Sequence, residues 1–252
     1  MTDFIAAHTV QIVLGVFAFV FAIVILAIIG GVRAGKRRRE DIREWSFRNG
    51  YNFTPGPMPA LQLAPIELFE IKMPTVEATA RNIAAGSRGT LFDFTHATRY
   101  SHGVMNNRTT YTRKTHSAAL FKLDEPLPRF QFAPVSTAGS NSLMGKLATA
   151  SIGLANFVGS HRPGQMIPIE DRPGFLLHTV DDPEQVKPLF AGAPQFFDDK
   201  CGWDIHSYGS WLYMTCDPLI YQHGWKQNST VHQQHYDEFA ALARKIREYF
   251  RT

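Results

Sequence analysis

The first 32 residues contain no lysine and no arginine, and the 23 residues from Val10 to Val32 contain no ionisable side chain at all. Two cysteines in 252 residues leave no disulfide-built scaffold and no paired Cys-x-x-Cys zinc site. His-Glu-x-x-His and Gly-x-Ser-x-Gly are both absent, which removes the helical zinc-hydrolase signature and the serine nucleophile elbow. The nearest approach to a phosphate loop, Gly139 to Lys146, has five residues between its glycines where four are needed. Leu147 also stands where a magnesium-binding hydroxyl belongs. No cofactor is expected from these patterns, and no catalytic residue is assigned.

What is present begins with that uncharged run. As a helix rising 1.5 Å per residue, Val10–Val32 is long enough to cross a hydrocarbon core of roughly 30 Å. Arg33, Lys36, Arg37, Arg38 and Arg39 follow at once. A cleaved signal peptide needs a basic start, a shorter apolar stretch and a small-residue cleavage site, and the chain has the opposite of each. The run therefore reads as an uncleaved anchor. Positive charge beside a membrane helix stays on the cytoplasmic side. This predicts residues 1–9 as a short outside N-terminus, 10–32 as a transmembrane helix, 33–50 as a basic juxtamembrane helix and 51–252 as a cytoplasmic domain. The location is the plasma membrane, crossed once.

Arg33–Arg39 holds five of the 26 basic residues and Asp3 one of the 22 acidic ones. The remainder, from Glu40 to Thr252, carries 21 of each. A formally neutral body is no footprint for a phosphate backbone, so nucleic acid is excluded as a partner. The basic block is instead a candidate contact with the lipid surface.

Alternation gives the body its texture. Ala78–Ala85, the turn Gly86-Ser87-Arg88-Gly89 and Thr90–Tyr100 read as a hairpin, with Phe92, Phe94, His96, Thr98 and Tyr100 on one face. Thr109–Leu123 continues the meander. Trp203–Tyr208 and Trp211–Cys216 read as a hairpin about Gly209-Ser210, with Ile205, Leu212 and Met214 on one face. Asp204, His206, Tyr208, Trp211 and Tyr213 fall on the other, a face aromatic enough to need a cover. Val135–Ser160 is rich in Gly, Ser and Ala and reads as a flexible segment, 135–160. A Thr230-to-Gln233 capping box opens a last helix whose apolar stripe is Phe239, Leu242, Ile246, Tyr249 and Phe250. The aromatic face of Trp211 and Tyr213 is its expected seat. The fold class is α+β: one N-terminal transmembrane helix, then a domain built on antiparallel sheet with a C-terminal helix.

His223, His232 and His235 are the candidate metal ligands, since His232 and His235 share a helix face at a spacing of three. The bland reading of the same residues is polar decoration of an exposed first helical turn.

Several segments together resemble a family of bacterial, mostly actinobacterial, single-pass membrane-anchored proteins without an assigned function. They are the anchor with its basic exit, Gly50-Tyr51-Asn52-Phe53, Arg81-Asn82, Phe92-Asp93-Phe94, Leu123–Pro128, Phe175–Pro183 and the tryptophan-containing hairpin. The chain departs from that pattern at Gly86–Gly89, where the glycine spacing is one residue shorter. The resemblance implies architecture and location and brings no catalytic residues. The function expected is a membrane-tethered cytoplasmic binding or scaffolding module with the bilayer and an unidentified protein as partners. The alternatives are a membrane-surface enzyme, such as a metal-dependent hydrolase at the histidines, and a lipid-handling protein using 135–160.

Overall fold

The computed structural model describes residues 2–65, 68, 75–101, 109–134, 165–167, 175–190, 203–216, 228–229 and 236–251. The chain divides into two units, Met1–Trp45 and Ser46–Thr252. The first is helix α1 (Thr2–Arg48) up to the boundary. From Val13 to Val32 its large apolar side chains are 41% to 70% exposed. Apolar surface on every side of a helix is unfavourable in water and favourable in lipid. The helix is long and apolar enough to cross a bilayer, which supports membrane anchoring. No proline interrupts it, so it runs on through the basic block without a break.

The second unit is an α+β domain on an antiparallel sheet. In chain order its elements are β1 (Asn52–Thr54), β2 (Met58–Pro59), a 3-10 turn (Ala60–Gln62), β3 (Thr75–Gly86), β4 (Gly89–Ser101), β5 (Thr109–Leu127), β6 (Phe130–Pro134), β7 (Gln165–Ile167), β8 (Phe175–Thr179), α2 (Pro183–Phe190), β9 (Trp203–Cys216), β10 (Asn228–Ser229) and α3 (Tyr236–Tyr249). The sheet order is β1-β3-β4-β5-β9-β6-β8-β7, with β2 beside β3 and the short β10 parallel to β5. The predicted meander is β3-β4-β5. Its first turn closes on the pair Gly86 and Gly89. Gly89 has φ +121°, and a Cβ there would collide with the Phe121 ring, so only glycine fits.

β9 contains the predicted hairpin. An extended strand would separate residues seven apart by roughly 23 Å. The His206 and Tyr213 rings are 5.4 Å apart, so the chain reverses between them, where Gly209 takes φ +56°. The hairpin lies between its neighbours, with Trp211–Thr215 pairing β5 and Ile205–His206 pairing β6.

The sheet has two differently covered faces. On one, Phe130 and Phe132 of β6 meet Phe190 of α2 and Phe250 beyond α3 at centroid distances of 5.0 to 5.7 Å. Arg247 of α3 stands over the Phe121 ring at 5.8 Å. On the other, Ala80, Ile83, Phe92, Phe94, Ala118, Leu120 and Tyr213 are capped by Ala60, Ala64 and Leu68. The expected seat of the last helix is therefore corrected. Helix α3 lies on the Phe121 face, and the proline-rich connector with its 3-10 turn covers the Tyr213 face. The buried stripe of α3 is Tyr236, Phe239, Ala240, Ala243 and Ile246. It includes two alanines, whose small side chains let the helix approach the sheet, while Leu242 and Tyr249 flank it only partly buried.

Candidate functional site

The Tyr213 face changes character toward β6 and β8. In an antiparallel ladder, residues directly opposite each other share a face. Gln131 is opposite both His206 of β9 and His178 of β8. His206 in turn meets Tyr213 across the hairpin. The result is a polar row, His178, Gln131, His206, Tyr213, lying across the sheet. Tyr213 continues it diagonally, since its hydroxyl and His116 Nε2 are 3.2 Å apart. The His116 ring lies 5.2 Å from that of His96 and 5.4 Å from that of Phe94. Four of the chain's ten histidines thus stand on one sheet face.

Burial makes this row consequential. His206 is 5% exposed, Tyr213 3% and Gln131 9%. Asp204, two residues from His206 on the same strand face, places Oδ1 2.6 Å from His206 Nε2. The Gln131 side-chain amide donates to that same oxygen at 3.3 Å. A carboxylate accepts and does not donate, so His206 Nε2 donates to it. The other ring nitrogen, Nδ1, is buried and has no hydrogen-bond partner among the described residues. Burial pushes the Tyr213 phenol well above its ordinary pKa, and the Asp204 carboxylate adds to the rise. Tyr213 is thus a neutral hydroxyl at any physiological pH. Chemically the row can exchange hydrogen bonds with an uncharged polar group, beside the aromatic faces of Phe94 and Tyr213.

Of the residues singled out by sequence, Arg33, Lys36, Arg37 and Arg39 are exposed on α1, and Arg38 is half-buried. At 100° per residue the five point to all sides of the helix within two turns. His223, His232 and His235, the 135–160 segment and the Thr230–Gln233 capping box lie outside the described residues. Among the described residues no group of three metal-ligating side chains converges. Asp182 caps α2, its Oδ1 accepting the Glu184 amide at 3.0 Å, and Asp181 accepts the Arg129 amide at 2.5 Å. Both acids act structurally.

Local spacing does not reveal the row, because His178, Gln131 and the pair His206 and Tyr213 come from three separate strands, β8, β6 and β9. The available signal was period two: His206, Tyr208, Trp211 and Tyr213 share a face once the turn at Gly209 is recognised.

No family model and no curated protein sequence matches this chain. Family membership therefore stands as a resemblance of motifs. Among solved structures, the crystal structure of the mycobacterial trehalose monomycolate transport factor A, TtfA, is similar at 8% identity, over 84% of this chain and 94% of that one, with a TM-score of 0.44. At that TM-score the likeness assigns neither fold nor function.

Proposed function

We propose that the chain is a membrane-tethered binding module with its α+β body on the cytoplasmic side. The carrying observation is the apolar surface exposed on every side of Val13–Val32, followed without a helix break by five basic residues. Arg33, Lys36, Arg37, Arg38 and Arg39 then surround the helix at headgroup level, where each adds about 1 kcal/mol of attraction to anionic lipid. The domains of this reading are 1–9 outside, 10–32 in the bilayer, 33–50 at the surface and 51–252 in the cytoplasm. Ligand or partner contact belongs to the body, whose neutral charge favours recognition by shape and hydrogen bonding over electrostatic steering.

Fractionation tests the tether. The full chain should sediment with membranes and resist alkaline carbonate extraction. Replacing Phe19, Val20, Phe21 and Ile23 by lysine should release it, because each such residue at the span's centre costs about 2.5–3.5 kcal/mol of insertion. A wild-type chain recovered in the soluble fraction would end the reading.

A further inference from the structure

His96 of β4 and His116 of β5 are diagonal neighbours in the ladder, His116 standing opposite Phe94 and His96 two residues further along β4. Their rings are 5.2 Å apart, centroid to centroid, and tilted 59° to each other. Both residues are half-buried and keep part of their surface in solvent. Phe94 packs on both, its centroid 5.5 Å from that of His96 and 5.4 Å from that of His116, and so limits how either ring turns. The Tyr213 hydroxyl holds His116 from one nitrogen, 3.2 Å from Nε2.

Packing alone does not ask for this chemistry. Two imidazoles side by side repel each other when both are protonated, and phenylalanine at either position would fill the same space on Phe94. Paired imidazoles do suit a metal ion. Zinc–nitrogen bonds of about 2.0–2.1 Å, set at the tetrahedral angle, bring two coordinating ring centroids to roughly 5 Å apart. Square-planar copper would draw the same rings closer, to roughly 4.5 Å. The spacing between His96 and His116 matches the zinc arrangement. An ion also needs no cavity, because it lies between its donor atoms.

We propose that His96 and His116 together hold a zinc ion. The coordinating atom of His116 is Nδ1, since Nε2 faces the Tyr213 hydroxyl, and that of His96 is Nε2, since Nδ1 is buried. Tyr213 is a positioning residue, because a metal-bound histidine ordinarily donates its other N–H to an oxygen of this kind. Among the described residues no third ligand joins the pair, so the site is open. Its remaining positions take water or a donor atom of a bound molecule. The site goes beyond the tethered reading and does not depend on the anchor.

The probe is zinc chloride, titrated by calorimetry into the full-length chain in detergent micelles, without a polyhistidine tag. One zinc ion should bind per chain at micromolar free ion, and the melting temperature should rise with zinc. Tyr213→Phe removes only the positioning hydroxyl and should weaken binding by about tenfold or more. His96→Phe and His116→Phe each keep a ring on Phe94 and remove one ligand. Each should weaken binding further than Tyr213→Phe and abolish the thermal shift, and the double variant should lose little more than either alone. His96→Gln and His116→Gln serve where a phenylalanine variant does not fold. A wild-type chain that binds no zinc at micromolar free ion would overturn the proposal. So would binding that survives in both single variants, since the ion would then sit on other histidines of the chain.

Discussion

Asn82 donates its side-chain amide to the Asp93 carboxylate at 2.7 Å, joining two segments, Arg81-Asn82 and Phe92-Asp93-Phe94, that carry the sequence resemblance. Asn82 has φ +49°, a left-handed conformation that asparagine tolerates better than most residues. It sits in a bulge of β3, where the register with β4 shifts between Arg81 and Ala84. The extra residue lets Ala80 and Ile83, three apart, join the same core cluster. Asp93 is 4% exposed, and its other oxygen accepts the Ser117 hydroxyl at 3.4 Å.

Asn82→Ala should therefore cost about 1.5–3 kcal/mol, the worth of a hydrogen bond to a charged group. Asn82→Asp should cost more at neutral pH, because it sets two carboxylates at hydrogen-bond distance. One of the pair then has its folded pKa raised, so the variant regains stability as pH falls and loses it as pH rises through the carboxylate range. Thermal melts of the variants between pH 4 and 8 check both statements. A flat pH dependence for Asn82→Asp would show that the two groups do not face each other.

Phe250 and Arg251 are adjacent, yet they should behave oppositely. Phe250 is 6% exposed and meets Phe130 and Phe190, so Phe250→Ala should cost about 3–5 kcal/mol. Arg251 makes only exposed ion pairs, to Asp124 at 3.4 Å and Glu248 at 3.8 Å. Arg251→Ala should cost under about 1 kcal/mol. Chemical denaturation in detergent gives the comparison. Equal effects would mean that the chain end does not pack on β6 as described.

Tyr213 sets an alkaline limit. Its folded pKa lies above the ordinary value near 10, through burial and then Asp204. The stability this represents is complete below pH 10 and is lost as pH rises from there toward the folded pKa. Tyr213→Phe removes that slope, at the expense of the hydrogen bond to His116 at 3.2 Å. Absorbance at 295 nm followed against pH should show one tyrosine fewer ionising only with unfolding in the variant than in the wild type.

Much of this architecture is legible in the residues, and what is not has physical reasons. The anchor shows as an uncharged run because lipid tolerates nothing else. The hairpin about Gly209-Ser210 shows because alternation changes phase there. The cover of the Tyr213 face does not show, since the connector containing Pro55, Pro57, Pro59 and Pro65 has no period to read. Hydrophobicity places the stripe of α3 toward Leu242 and Tyr249, ranking them above Ala240 and Ala243, whereas close approach to the sheet favours the alanines. The polar row depends on Gln131 standing opposite both His178 and His206, a register that no local pattern encodes. Histidine spacing along the chain pointed instead to His232 and His235.

The basic block should act on orientation more than on the fold. Replacing Arg37, Arg38 and Arg39 with Gln removes three of the five positive charges after the helix and leaves none before it. Mixed orientation is the expected result, with the body's melting temperature unchanged. A lower melting temperature in the variant would show that the block supports the body.

The measurement that bears most directly on the tethered reading is protease protection of a chain tagged after Thr252. In intact bacterial spheroplasts the tag and body should survive external protease and be digested only after lysis. Digestion of the body in intact spheroplasts would place it outside the membrane and contradict the account.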